Sequence, residues 1–126
     1  GSADGLAWWA ARGRPRRLTY APRMAIAAVS ISPLGVGLSV SEYVAAAISV
    51  LEAQDVVRWE LDSMFTTLEG GPDALSKVIR AMQEAVLAAG GERVGTVIKM
   101  DDRRDREGVT MAGKIASVRE KLAIPK

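Results

Sequence analysis

Residues 101–107 read Asp-Asp-Arg-Arg-Asp-Arg-Glu, seven charges in a row directly after the apolar run Val94-Gly-Thr-Val-Ile-Lys-Met100. Carboxylates at this density can ligate a hard cation. Arginines at this density can contact phosphate. The same stretch can also be a ligand rim or a knot of ion pairs. Arg103, Arg104 and Arg106 alternate with Asp101, Asp102 and Asp105, so a cation site would be neutralised by its own neighbours. Ion pairing and a strand end are therefore the reading for Asp102, Arg103, Arg104 and Asp105, as a structural lock and subunit boundary, with no metal.

Composition removes other chemistry. The 126 residues contain no Cys, no His and no Asn, which excludes thiol chemistry, Cys/His zinc sites and histidine triads. Carboxylate, hydroxyl, Lys and Arg chemistry remains, or simple binding. The net charge of +2 is unevenly placed. Residues 1–23 carry five Arg and one Asp, whereas the rest holds 12 basic and 14 acidic side chains. The basic character thus belongs to the N-terminal segment, and gives the remainder no reason to bind nucleic acid. No apolar stretch approaches the roughly 20 residues that span a bilayer. The absence of Cys fits a cytoplasmic protein.

Residues 1–23 have Arg and Pro without periodicity. Gly1-Ser2 resembles a fusion scar, and the segment reads as a tail upstream of a natural start at Met24. Trp8 and Trp9 in it, if ordered, need an apolar surface. Residues 24–126 read as one domain. Residues 25–32 alternate as a strand, with Ala27, Val29 and Ile31 on one face and Ile26, Ala28, Ser30 and Ser32 on the other. Ser39 to Glu42 forms a capping box for a helix reaching about Ala53. Residues 56–70 form a hairpin turning at Asp62-Ser63. Gly71-Pro72-Asp73 opens a second helix, striped by Leu75, Val78, Ile79, Met82 and Val86 and ended by Gly90-Gly91. Residues 94–100 form a fourth strand, and Ile115, Val118 and Leu122 mark a C-terminal helix.

The order βαββαβ predicts an α+β fold, the ferredoxin-like split βαβ sandwich, with a four-stranded antiparallel sheet plus a C-terminal helix. Both long helices cover one sheet face. The other, with few Lys or Glu expected on it, is expected to be buried against another copy in a homo-dimer or homo-tetramer. That seam could hold a small flat ligand, or its hydroxyls could be interface residues only. RNA-recognition modules of the same topology need stacking aromatics on the central strands. The first strand has none, and the third contributes only Phe65.

Three blocks now resemble a known family, the small thiamine-binding proteins related to the YkoF type. They are VSISPLG (29–35) with LSVSEYVAAAISVLE (38–52), ELDSMFTTLEG (60–70) and, most specifically, VIKMDDRRD (97–105). The resemblance implies sheet-stacked oligomers that bind thiamine or its hydroxymethylpyrimidine moiety without catalysis and without a cofactor, for sequestration or delivery. An assembly or regulatory protein without a small ligand is the alternative. The matching motif positions are Ser30, Ser32, Met64, Thr66, Glu69 and Asp101. Glu69 or Asp101 would take the amino group, and the hydroxyls would orient the ring. The family commonly has Pro, Met and a small residue where this chain has Ser63, Met64 and Phe65.

Overall fold

The computed structural model describes residues 23–35 and 40–123. Its elements are β1 (Ala25–Pro33), α1 (Ser41–Glu52), β2 (Arg58–Leu61), β3 (Thr66–Gly70), α2 (Pro72–Ala88), β4 (Val94–Asp102) and α3 (Met111–Ala123). The four strands form one antiparallel sheet in the order β2-β3-β1-β4, so the first and third strands lie in the centre. This is the ferredoxin-like fold expected from the element order, with a C-terminal helix. Trp8, Trp9 and Ser39 lie outside the described residues.

Alternation along β1 builds the core. Ala25, Ala27, Val29 and Ile31 are buried beneath α1 and α2, against Leu51 of α1 and Leu75, Val78 and Met82 of α2. The 3.6-residue stripe read from 75 to 86 is the buried stripe of α2. In α1 the buried residues are Ala47, Ile48, Val50 and Leu51, with Tyr43 and Val44 packed at the margin. Val40 occupies the N-cap of α1 without a side-chain cap bond.

Two boundaries differ from the sequence reading. The hairpin turn spans residues 62–65, closed by the Asp62 amide donating to the Phe65 carbonyl at 3.0 Å. β4 continues two residues further than the apolar run, so Asp101 and Asp102 are strand residues paired with Ile26 and Ala25. Backbone pairing with β1 carries the strand on where hydrophobicity stops.

The end of α1 depends on one buried amide. Gln54, 9% exposed, donates to the carbonyls of Leu51 (3.0 Å) and Val57 (2.9 Å) and accepts from the amides of Val56 (2.9 Å) and Val57 (2.8 Å). It thereby satisfies the loop leading into β2. A Gln54→Ala variant removes these four bonds, including the acceptor of the Val56 and Val57 amides, and should cost about 1–3 kcal/mol. Urea unfolding should place its midpoint well below that of the parent at an unchanged slope; an unmoved midpoint would remove Gln54 from the account.

Candidate functional site

Directly opposed residues in an antiparallel pair share a face, so the register sorts every candidate residue. On the side away from α1 and α2, the first row is Arg58, Glu69, Ile26 and Asp101 across the four strands. The second is Glu60, Thr67, Ala28 and Lys99. Ser30 then faces Val97, and Ser32 faces Gly95. Apart from the buried Glu69, the central strands carry small or apolar groups and Thr67, and the edge strands carry charges. The expectation of a face poor in Lys and Glu is thus corrected at its rims: Arg58, Glu60, Lys99 and Asp101 stand on edge strands, where charge also deters further strand pairing.

The two acids lie in one row and each meets α3. The Met111 amide donates to Glu69 Oε1 at 2.8 Å, and Lys114 Nζ donates to the Asp101 carboxylate. Met111 and Lys114 are three residues apart, hence on one helix face. The first turn of α3 therefore bridges β3 and β4 across Ile26, which is 8% exposed. Thr110 caps the helix, its Oγ1 accepting from the Gly113 amide at 3.0 Å and its carbonyl from the Lys114 amide at 3.1 Å. Glu69, 2% exposed, sets its negative charge at the positive end of the helix dipole. The bond from Lys114 holds the Asp101 carboxyl below the usual carboxylate range, with Arg103 adding to it.

The hydroxyls stand apart from the acids. Ser30 is four residues along β1 from Ile26, about 13 Å at 3.3 Å per residue, and Ser32 is further still. Both are half-buried. Met64 sits at the hairpin turn and is 78% exposed. Thr66 pairs with Val29 and lies on the helix-covered side, 6% exposed. The structure therefore brings Glu69 and Asp101 into one row and Ser30 and Ser32 into a second group, and puts Thr66 on the opposite face. Thr67 is the threonine on the open face, one position from the one singled out by sequence. Period-2 alternation from Leu68 carried that signal, once Leu68 is taken as core.

Around the hydroxyls the side chains are small. Gly95, opposite Ser32, lies under the Leu34 side chain: a Cβ placed there would be 3.5 Å from Leu34 Cδ1. Phe65, half-buried, closes the turn directly before the Val29–Thr66 pair. Ala28, Ser30 and Ser32 thus give β1 a row of small side chains on the open face.

The charged stretch resolves into separate pairs. Asp102 faces away from Asp101 and accepts from Arg23 Nε at 3.0 Å. Arg103 binds Asp105 through Nε (2.9 Å) and Nη2, which holds the Asp105 carboxyl below its ordinary range. Arg104 is exposed. The partners of Asp101 and Asp102 are Lys114 and Arg23, where sequence had offered the arginines of the run itself. Among the described residues, no group of three or more His, Cys, Asp or Glu is placed to hold a metal ion, and no helix is long and apolar enough to cross a membrane.

A family model described as thiamine-binding protein matches residues 27–119. The chain belongs to that family. Curated relatives within reach of this thiamine-binding protein family member include the UPF0045 protein of Methanothermobacter thermautotrophicus, 43% identical over 101 residues, covering 79% of this chain and all of that protein. The UPF0045 protein YqgV of Bacillus subtilis is 43% identical over 103 residues, covering 79% and 98%. Among solved structures, the hypothetical protein MJ1052 of Methanocaldococcus jannaschii superposes with a TM-score of 0.70 at 39% identity, covering 78% of this chain and 98% of that one. The family read from the three motif blocks is thus the family found.

The attachment of α3 yields a prediction. Glu69→Ala removes the acceptor for Met111 and should raise amide hydrogen exchange across residues 111–123 while the β1 amides keep their protection. Because Asp101 ionises more readily when paired, its contact contributes above the ordinary carboxylate pKa of about 3.9 and is lost as pH falls through the lowered value. Exchange in α3 should therefore accelerate, beyond its intrinsic pH dependence, only in acid below that range. Unchanged α3 exchange in both experiments would dissociate the helix from the acid row.

Proposed function

We propose that this protein binds thiamine or its hydroxymethylpyrimidine fragment without turning it over, on the open sheet face, as a cytoplasmic sequestration or delivery protein. The observation that carries the reading is the row of small residues Ala28, Ser30 and Ser32 on the open face, in a chain matched to a thiamine-binding family. An aminopyrimidine is planar, with ring acceptors beside an amino donor. The Ser30 and Ser32 hydroxyls can donate and accept in turn, and Phe65 supplies a stacking edge for the ring or for the thiazolium cation.

In this reading a second copy of the chain covers this row. Val97 is 58% exposed on the same face. Along α3, Ile115, Val118 and Leu122 are 49%, 59% and 79% exposed at helical spacing, an apolar stripe with no partner among the described residues. A homo-dimer or homo-tetramer buries both. The same stripe favours the second reading, an assembly protein without a small ligand, because it calls for a protein surface whether or not a ligand is present.

Titration calorimetry separates the two. Thiamine or hydroxymethylpyrimidine should bind saturably, Ser30→Ala should weaken binding roughly two- to tenfold, and Ser30→Trp should abolish it by filling the space over that row. No heat and no melting shift at millimolar ligand, with the oligomer intact, would leave only the assembly reading.

A further inference from the structure

The loop after β4 encloses a cavity that the thiamine reading does not use. Residues 103–110 fold against one face of α3 and leave a cleft of about 240 Å³. That is below the roughly 300–1,000 Å³ of pockets that take a whole small molecule, so it fits a substituent group. Its lining includes Arg103, Arg106 and Lys114, with one carboxylate, Glu107. Asp105 and Asp101 pair with Arg103 and Lys114 from outside this lining, so the cleft offers a set of cationic donors rather than a large net charge.

The remaining lining is suited to an oxyanion. Thr110 and Ser117 add hydroxyls, and both lie on the helix face that carries Gly113 and Lys114. A Cβ at Gly113 would stand 3.0 Å from Thr110 Oγ1, so glycine keeps both the cap and the cleft wall open. Gly108, at φ +65°, turns the loop back toward the helix in a conformation that side-chain-bearing residues rarely adopt. Arg103 is braced by Asp105, which engages two of its five N–H donors. Lys114, tied to Asp101, has three donors of its own. Among the described residues, no carboxylate forms an ion pair with Arg106. A guanidinium pre-oriented by one carboxylate, a second guanidinium without one, an ammonium and two hydroxyls around a small concavity match the fork and point donors that a phosphate accepts.

We propose that this cleft is a binding site for a phosphate group, either the free ion or the phosphomonoester end of a small molecule. It stands on the donor groups and shape of the loop and α3, independently of which ring occupies the sheet face. Lys114, which contacts Asp101 in the acid row, is the physical link between the two places.

Titration of the full chain with inorganic phosphate and, separately, with phenyl phosphate, followed by backbone NMR at low salt, tests it. Saturable shifts at Arg106, Thr110, Gly113 and Ser117 are expected with at least one probe. Binding of phosphate alone at least as tightly as phenyl phosphate identifies a free-ion site, and tighter phenyl phosphate identifies an ester site. Arg106→Ala, an exposed change that leaves the fold intact, should weaken binding about tenfold. Glu107→Gln should strengthen it by removing the opposing charge. Added sodium chloride should weaken it. No saturable shift with either probe up to about 20 mM, or wild-type affinity in Arg106→Ala, overturns the proposal. Failure of thiamine to bind leaves these outcomes unaffected, since phosphate binding is read without thiamine.

Discussion

The register of β1 between β3 and β4 is the constraint on which the molecule depends. One set of its side chains, Ala25, Ala27, Val29 and Ile31, closes the core beneath two helices. The alternate set, Ile26, Ala28, Ser30 and Ser32, forms the floor of the opposite face. A slip of one residue would send the serines into the core and the valine outward, so burial on one side fixes the chemistry presented on the other. The rows that follow from this register decide which acids face α3 and which threonine faces the open side.

The acid row works as an attachment for α3 more than as an isolated pair of carboxylates. A helix of 13 residues is marginal by itself in water, and α3 buries none of its side chains among the described residues. Its order comes from the Thr110 cap, the Glu69 acceptor and the Lys114–Asp101 pair, all within its first turn. That arrangement anchors one end, frames the charged cleft on one side, and leaves the apolar stripe on another. Exposed ion pairs contribute little individually; the buried acceptor Glu69 is the stronger tie.

Much of this was legible in sequence, and what was not has physical reasons. The alternation of residues 25–32 and the stripe from Leu75 to Val86 specify β1 and α2 because burial imposes their periods. The motif blocks around residues 29–35, 60–70 and 97–105 specify the family. The reach of β4 was hidden because backbone pairing with Ala25 and Ile26 sustains a strand through charged residues. Thr66 and Thr67 are chemically identical, and only alternation counted back from the core residue Leu68 separates them. Asp101 and Asp102 are adjacent in sequence, yet the pleat sends them to Lys114 and Arg23 on opposite sides. Gln54 carried no sequence signal, since its four bonds depend on a loop path that no periodicity describes.

The central claim is that the outward set of β1 is the ligand-binding floor. Backbone NMR of the isotopically labelled protein, titrated with thiamine, tests it most directly. The account predicts that the largest saturable shifts fall on Ala28, Ser30, Ser32 and Gly95, with smaller ones at Phe65 and Leu34. Saturable shifts confined to other surfaces, with those four residues unmoved, would contradict it.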